Sequence, residues 1–369
     1  MKKVIVSVIN DLASDQRVHK VCTTLSNLGF EVLLVGRKLS NSPDLDKREY
    51  KTKRMRLLFN KGPLFYAEYN KRLTLFLLFH KFDLLVSNDL DTLLANYVVS
   101  KIKSKPLVYD SHEYFTEVPE LQGRKAKKLW EYIEARIFPK LNDIITVNKS
   151  IAELYNKKYG KNLKVVRNVP FHKLNIEELT KADLGIPEQD RVIILQGAGI
   201  NMDRGAEEAI LAMNYLNHVV LLIVGSGDVL EVLKQMVIEH KLDNKVRFIP
   251  RQSIDKLYAY TALSDVGLSL DKDTNLNYRF SLPNKIFDYI QCGTPVLASN
   301  LPEVRNIIQS YKVGLVLEEH SPKSIAKSLD FMLNSDFKKK HKTQLAKAAS
   351  ELSWENESKI LEEIYKKYL

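Results

Sequence analysis

Short, continuous apolar runs rich in β-branched residues recur along this chain, each followed by a stretch of helical length, and this alternation restricts the possible folds more than any other feature. One series lies at residues 3–9, 31–35, 83–87 and 143–147; a second begins at Arg191 and continues at 221–224, 246–249, 266–270, 296–298 and 313–317. The runs lack the polar alternation of a half-wet sheet, so each strand is expected to be covered on both faces, as in a parallel sheet. Between them apolar residues fall at helical spacing: Val18, Val21, Cys22, Leu25 and Leu28 form one stripe that stops at Gly29. This is a βαβ unit with a right-handed crossover, and the class is α/β. A chain of 369 residues with 45% hydrophobic content exceeds what one core usually fills, ~250–300 residues, so two domains are expected. The composition turns polar after Pro170 and stays so to Gln189, which predicts a first domain at 1–170, a linker at 171–188 and a second domain from 189.

Several classes are excluded early. Met1 to Asp11 is basic and then apolar, but Asn10 and Asp11 break the run, so it reads as a first strand and not a signal peptide. No uninterrupted apolar span approaches the ~20 residues of a membrane helix. The two cysteines, Cys22 and Cys292, lie far apart in apolar settings, which fits a reducing cytosol without a disulfide framework or cysteine metal site. The net charge of +11 asks for an acidic partner. No recognition motif for nucleic acid accompanies it. Within 51–82 the basic residues Lys51, Lys53, Arg54, Arg56, Lys61, Lys71, Arg72 and Lys81 face the single acid Glu68, interleaved with aromatic and aliphatic side chains. Residues 51–72 are expected to lie on an anionic membrane surface, and the more uniformly apolar run from Leu73 to Phe79 to be core. The expected location is cytoplasmic, peripheral at the inner face of the cell membrane.

Residues 280–299 read as a loop, one helix, a Gly stop and a buried strand. Pro283 suits a first helical turn, Ile286, Phe287 and Ile290 share one face, and Gly293 with Pro295 ends the helix. The N–H groups of Asn284 and its neighbours, the cation of Lys285 and the carboxylate of Asp288 are the groups that would hold a nucleoside diphosphate, on its phosphates and its ribose. An ordinary helix with a solvated Lys285 and Asp288 explains the same residues equally well. Strand 191–197 leads through Gly197 and Gly199 to Arg204 and Gly205 and then a helix, again a layout that brings backbone N–H groups and a cation to phosphate. His112 stands at the carboxyl tip of its strand, where open α/β sheets place their ligand crevices, with Glu113 beside it. Asp15 and Arg17, in the loop 14–17, read first as a helix cap and a surface ion pair, in a place where a cleft loop is also expected. Asp89-x-Asp91 and Asp271-x-Asp273 have the spacing of a metal motif, but such pairs arise often at strand ends, and no metal site is expected.

The segment from Asp288 to Ser299 resembles the nucleotide-binding helix of retaining glycosyltransferases of family 4, which have the two-domain GT-B fold. Asp288 takes the place of the second Glu of that family's E-x7-E signature, while the first Glu is replaced by Phe280. Tyr109-Asp110-Ser111-His112-Glu113 resembles the strand and His that line the donor-sugar pocket, Arg204-Gly205 stands where the family has Lys-Gly, Gly227 lies in the turn bordering the nucleotide, and Arg251 lies in the loop that packs on the base. The family's second Arg has no counterpart, and Lys285 is the cation available to replace it. The resemblance implies two Rossmann-like domains with parallel sheets facing a central cleft, the second (189–345) binding a nucleoside-diphosphate sugar and the first binding an acceptor through Asp15, Arg17 and Glu113. The last helices, 346–369, would cross back to the first domain. His112, Arg204 and Lys285 would then carry catalysis, with Gly197, Gly199, Gly227, Arg251, Pro283, Asn284 and Asp288 around the nucleotide, no metal, and no cofactor besides the donor. The acceptor would be a glycan or a polyprenyl-linked carrier. Two alternatives are a nucleotide-sugar epimerase of the same architecture and a donor-binding subunit without catalysis.

Overall fold

A computed structural model describes residues 1–369 except Ser14, Lys173 and Asn175; Ser14 of the loop 14–17 therefore lies outside the described residues. The chain divides into two compact units, one of Met1–Asn168 with Asn275–Asn277 and Asn356–Leu369, the other of Val169–Thr274 with Tyr278–Glu355.

The first unit is built on a seven-stranded parallel sheet: β1 (Lys3–Asp11), β2 (Glu31–Lys38), β3 (Lys51–Arg56), β4 (Leu84–Asn88), β5 (Leu107–Ser111), β6 (Asp143–Thr146) and β7 (Lys164–Val165), in the order β3-β2-β1-β4-β5-β6-β7. The central strands β4 and β5 are buried along their whole length, in keeping with their continuous apolar runs. β3 departs from the sequence reading. Its residues, Lys-Thr-Lys-Arg-Met-Arg, form an edge strand that pairs only with β2. The lysines keep that edge wet and unattractive to a further strand. Helix Gly62–Phe79 follows, so 51–72 is not one amphipathic element, and 73–79 is not all core. Leu73 and Leu77 are fully buried, but Leu75 is 47% and Phe79 84% exposed.

The second unit has six parallel strands: β8 (Arg191–Gly197), β9 (Val219–Gly225), β10 (Val246–Pro250), β11 (Val266–Ser269), β12 (Val296–Ala298) and β13 (Gly314–Val316), in the order β10-β9-β8-β11-β12-β13. Its core joins Ile193, Leu195, Leu221, Ile223 and Leu268 of the strands with Ala209, Ile210, Ile325 and Leu329 of the covering helices.

Strand order reverses between β1 and β4 in the first unit and between β8 and β11 in the second. At such points the connections leave to opposite faces and open a crevice beyond the strands' carboxyl ends. In the second unit β8 and β11 pair only at Ile193–Val266 and Ile194–Gly267. Beyond that the gap is filled by the Tyr289 phenol, which accepts from the Gln196 N–H at 3.3 Å and donates to the Leu268 carbonyl at 3.1 Å. Tyr289 belongs to helix Asn284–Gln291, and its ring lies so close to β11 that a Cβ on Gly267 would fall 2.5 Å from it. The phenol thus seats this helix on the switch point.

Candidate active site

At the second unit's switch point two loops are zipped together. The Lys272 N–H donates to the Asp203 carbonyl at 2.9 Å, and Gly205, at φ +76, lies where a Cβ would sit 2.2 Å from the Leu270 carbonyl oxygen. Only glycine combines that left-handed backbone with so close an approach. The zip sets Arg204 beside Asp271. Arg204 Nη1 donates to Asp271 Oδ1 at 2.9 Å, and its guanidinium lies 4.2 Å from the centre of the Tyr278 ring. Lys285 Nζ approaches the other oxygen, Oδ2, to 3.7 Å. Asp271 is completely buried. Burial pulls the Lys285 pKa below the usual lysine range, Asp271 opposes that pull, and the Arg204 charge adds to it. The two cations expected at a diphosphate are therefore brought together, and the acid read as part of Asp271-x-Asp273 is their common partner. Asp273 pairs with Arg279.

The loop glycines serve different ends. A Cβ on Gly197 or Gly199 would make only ordinary van der Waals contacts, none closer than 3.7 Å, so neither glycine is required by packing at the end of β8. Gly227, by contrast, would place a Cβ 1.9 Å from the Ile200 carbonyl oxygen. It locks the β9 turn onto the β8 loop, where the Ile200 N–H also donates to Ser226 at 2.9 Å. Pro283 sits at the cap position in extended conformation, one residue before the helix it was expected to begin, with Asn284 exposed at the first turn. Asp288 is half-buried and faces β8, accepting from Gln196 Nε2 at 3.4 Å, while Gln196 Oε1 accepts from the Thr261 hydroxyl at 2.6 Å. Arg251 is exposed just past β10 at the sheet's edge.

In the first unit β4 and β5 end side by side and deliver Asp89 and His112. Asp89 has φ 57 and ψ 168, a conformation that non-glycine residues occupy only where their surroundings hold them. Here the carboxylate accepts from the His112 backbone N–H at 2.8 Å and lies 3.2 Å from Nδ1. On the other side Nε2 is 3.1 Å from Asn88 Oδ1 and 3.5 Å from Asp110 Oδ2. Burial alone would lower the His112 pKa, but Asp89 and Asp110 outweigh it and push it up to about 9. His112 is thus an imidazolium at neutral pH with acceptors on both nitrogens, and such a group has no lone pair with which to take a proton. Burial, with the Asp89 charge adding, pushes Glu113 up to about 7, although Asn277 Nδ2 donates to it at 3.2 Å.

Asp15 caps its helix as read, accepting from the Val18 N–H at 3.0 Å. Arg17 is not a surface residue. It is 3% exposed, its Nε and Nη2 donate to the two oxygens of Asp110 at 3.3 and 2.8 Å, and its Nη1 donates to the Val166 carbonyl at 2.8 Å. Sequence reasoning missed Tyr278, Tyr289 and the anchoring roles of Asp89, Asp110 and Asp271. The signal available for Asp89 and Asp271 was their place just beyond a strand next to a change of sheet direction. Among the described residues no group of three or more His, Cys, Asp or Glu could hold a metal ion, and no helix is long and apolar enough to cross a membrane.

Comparison with known proteins gives two family matches, "Glycosyltransferase Family 4" over residues 15–169 and "Glycosyl transferases group 1" over 176–352. A curated protein of Haemophilus influenzae described as an uncharacterized glycosyltransferase is 28% identical over 116 residues, which is 31% of each chain, so the match spans about a third of that relative. Among solved structures, sucrose-phosphate synthase from Thermosynechococcus elongatus aligns over 100% of this chain and 99% of its own with TM-score 0.81 and 15% identity. HepE of Anabaena, in complex with UDP and glucose, aligns over 100% of both chains with TM-score 0.75 and 14% identity. WaaG, described as a glycosyltransferase involved in lipopolysaccharide biosynthesis, aligns over 97% of this chain and 99% of its own with TM-score 0.71 and 16% identity. These likenesses give the fold, and the two family matches, which between them take in nearly all of the chain, give the class: the protein belongs to the group 1 glycosyltransferases of family 4 type, with the GT-B fold of two Rossmann-like domains.

Proposed function

We propose that this glycosyltransferase moves a hexose from a nucleoside-diphosphate sugar to a membrane-linked glycan or lipid carrier, with retention of configuration and with neither metal nor further cofactor. The observation that carries the reading is the convergence of Arg204 and Lys285 on Asp271 at the second unit's switch point. As the sugar's C1–O bond breaks, its electron pair goes to the diphosphate, and fixed cations stabilise the charge that grows there. Asp288 and the glycine loops would receive the nucleoside. The acceptor hydroxyl forms the new bond to C1, and its proton goes to the leaving phosphate, because His112 already carries one. HepE, whose structures hold UDP and UDP-glucose, supports the ligand class. These relatives carry glycosyltransferase and synthase names, which does not favour an epimerase. Thermal-shift measurements against UDP, GDP, ADP and their sugars test the reading: a ligand at 100 times its Kd should stabilise by about 2.7 kcal/mol. If none of them raises Tm at millimolar concentration, the donor reading fails.

The membrane part of the proposal rests on the exposed side of helix Gly62–Phe79. Leu64, Leu75 and Phe79 are exposed there, Leu58 and Phe59 precede them, and the exposed Lys61, Lys71 and Arg72 lie on the same segment. Apolar side chains among cations suit the boundary of an anionic bilayer. The protein should float with phosphatidylglycerol vesicles at low salt, and Leu75→Glu with Phe79→Glu should leave it in the pellet fraction. Wild-type protein that ignores such vesicles at low salt would remove the membrane reading while leaving the donor chemistry intact.

A further inference from the structure

We infer that Asp271 is the positioning residue of the donor-phosphate site, its one buried carboxylate holding Arg204 and Lys285 together as a pair of cations aimed at a nucleoside diphosphate. The inference rests on the donor reading above and deepens it. Two like charges do not share a small volume unaided; each repels the other, and burial removes the water that would screen them. Asp271 resolves this with one oxygen for each, at 2.9 Å for Arg204 and 3.7 Å for Lys285. Its own place is set by the loops, since the Lys272–Asp203 hydrogen bond and the Gly205–Leu270 contact fix the segments on which Asp271 and Arg204 stand, and the His320 imidazole holds the Leu270 carbonyl at 2.8 Å. Tyr278 floors the guanidinium from a third position. Two cations on one carboxylate leave the cluster net positive, which suits a diphosphate.

The charged groups around Lys285 are few. Asp271 and Arg204 face it from the two zipped loops, Asp288 stands three residues on along its own helix and turns to Gln196, and the neighbouring Lys272 is taken up by Glu208 at 2.7 Å. Of these, Asp271 is the group that acts to keep Lys285 protonated, whereas burial and Arg204 act against it. Replacing Asp271 by Asn therefore makes the lysine easier to deprotonate.

Calorimetric titration of UDP, GDP and ADP into wild type, Asp271→Asn and Asp271→Glu, at pH about 7.5 and about 9, tests this; both conditions lie above the second phosphate ionisation near 6. Asp271→Asn is expected to lose about tenfold in affinity between the two conditions, as loss of one charge partner would give, and wild type much less. Asp271→Glu should recover part of the flat profile. Tighter binding by Asp271→Asn at both pH values would show that the carboxylate only competes with the ligand and would overturn the inference. So would an equal loss at both, with a lowered Tm, which a merely structural role predicts. If wild type binds none of the three nucleotides, the donor reading itself falls; if wild type binds and Asp271→Asn shows the wild-type profile, only the role of Asp271 falls.

Discussion

Arg204→Ala should lower turnover at saturating donor by about 100-fold or more, the loss commonly seen when a preorganised charge at a developing anion is removed. The expectation follows from where the charge sits. The guanidinium is partly sheltered, fixed by Asp271 and stacked on Tyr278, so it needs no reorganisation as the diphosphate departs. Removal also frees Asp271 to pair with Lys285 alone, which cancels the remaining cation. The defect should appear mainly in kcat, with a smaller rise in KM, because the interaction strengthens as the C1–O bond breaks. If, as proposed, these side chains supply the charge, a chelator should leave wild-type turnover unchanged. Release of labelled sugar from the donor to a lipid-extract acceptor gives the readout, with thermal unfolding as the check that Arg204→Ala is folded. A loss below about fivefold would mean that the leaving diphosphate is stabilised elsewhere.

The second large effect concerns the first unit. Asp110→Ala should destabilise it by about 3–5 kcal/mol, because among the described residues it leaves the buried Arg17 guanidinium the Val166 carbonyl as its hydrogen-bond partner. Both members of the pair are almost wholly inaccessible, 3% and 1% in their side chains, so water cannot take the place of the missing carboxylate. Arg17 and His112 together hold the Asp110 carboxyl well below the usual range against the opposing effect of burial. The carboxylate is therefore favoured in its ionised form, the one that pairs with Arg17. Urea unfolding followed by a probe confined to the first unit, such as Trp130 fluorescence in a Trp354→Phe background, measures the effect. The double change Arg17→Leu with Asp110→Leu should be far milder than Asp110→Ala, since it removes both charges at once. A cost below about 1 kcal/mol for Asp110→Ala would mean that the pair is dispensable.

Why some of this could be read in advance and some could not is plain from individual residues. Both sheets were legible because strands buried on two faces leave long apolar runs, and Gly29 and Gly293 mark helix ends by their backbone needs. β3 was not legible as a strand because an edge strand carries no such run, and its lysines give no period that marks one. Arg204 and Lys285 were singled out through their loops and their resemblance to known motifs. Their anchor was not, because Asp271 lies 67 positions from Arg204 and only the reversal of strand order brings the two together. Arg17 failed in the same way: its partner is 93 positions away, and local context offered only a helix start.

The contact between Tyr289 and Gly267 ties two distant positions into one unit of inheritance. Any side chain at 267 would collide with the ring, and loss of the phenol would leave the Gln196 N–H and the Leu268 carbonyl without it at the place where the strands part. Drift at either position alone is closed, while Asn284, Lys285 and Asp288 on the outer face of the same helix are held by neither the ring nor the bare backbone. The width of the crevice is thus set by phenol and bare backbone, and the side chains that line it stand on a helix whose seat does not depend on them.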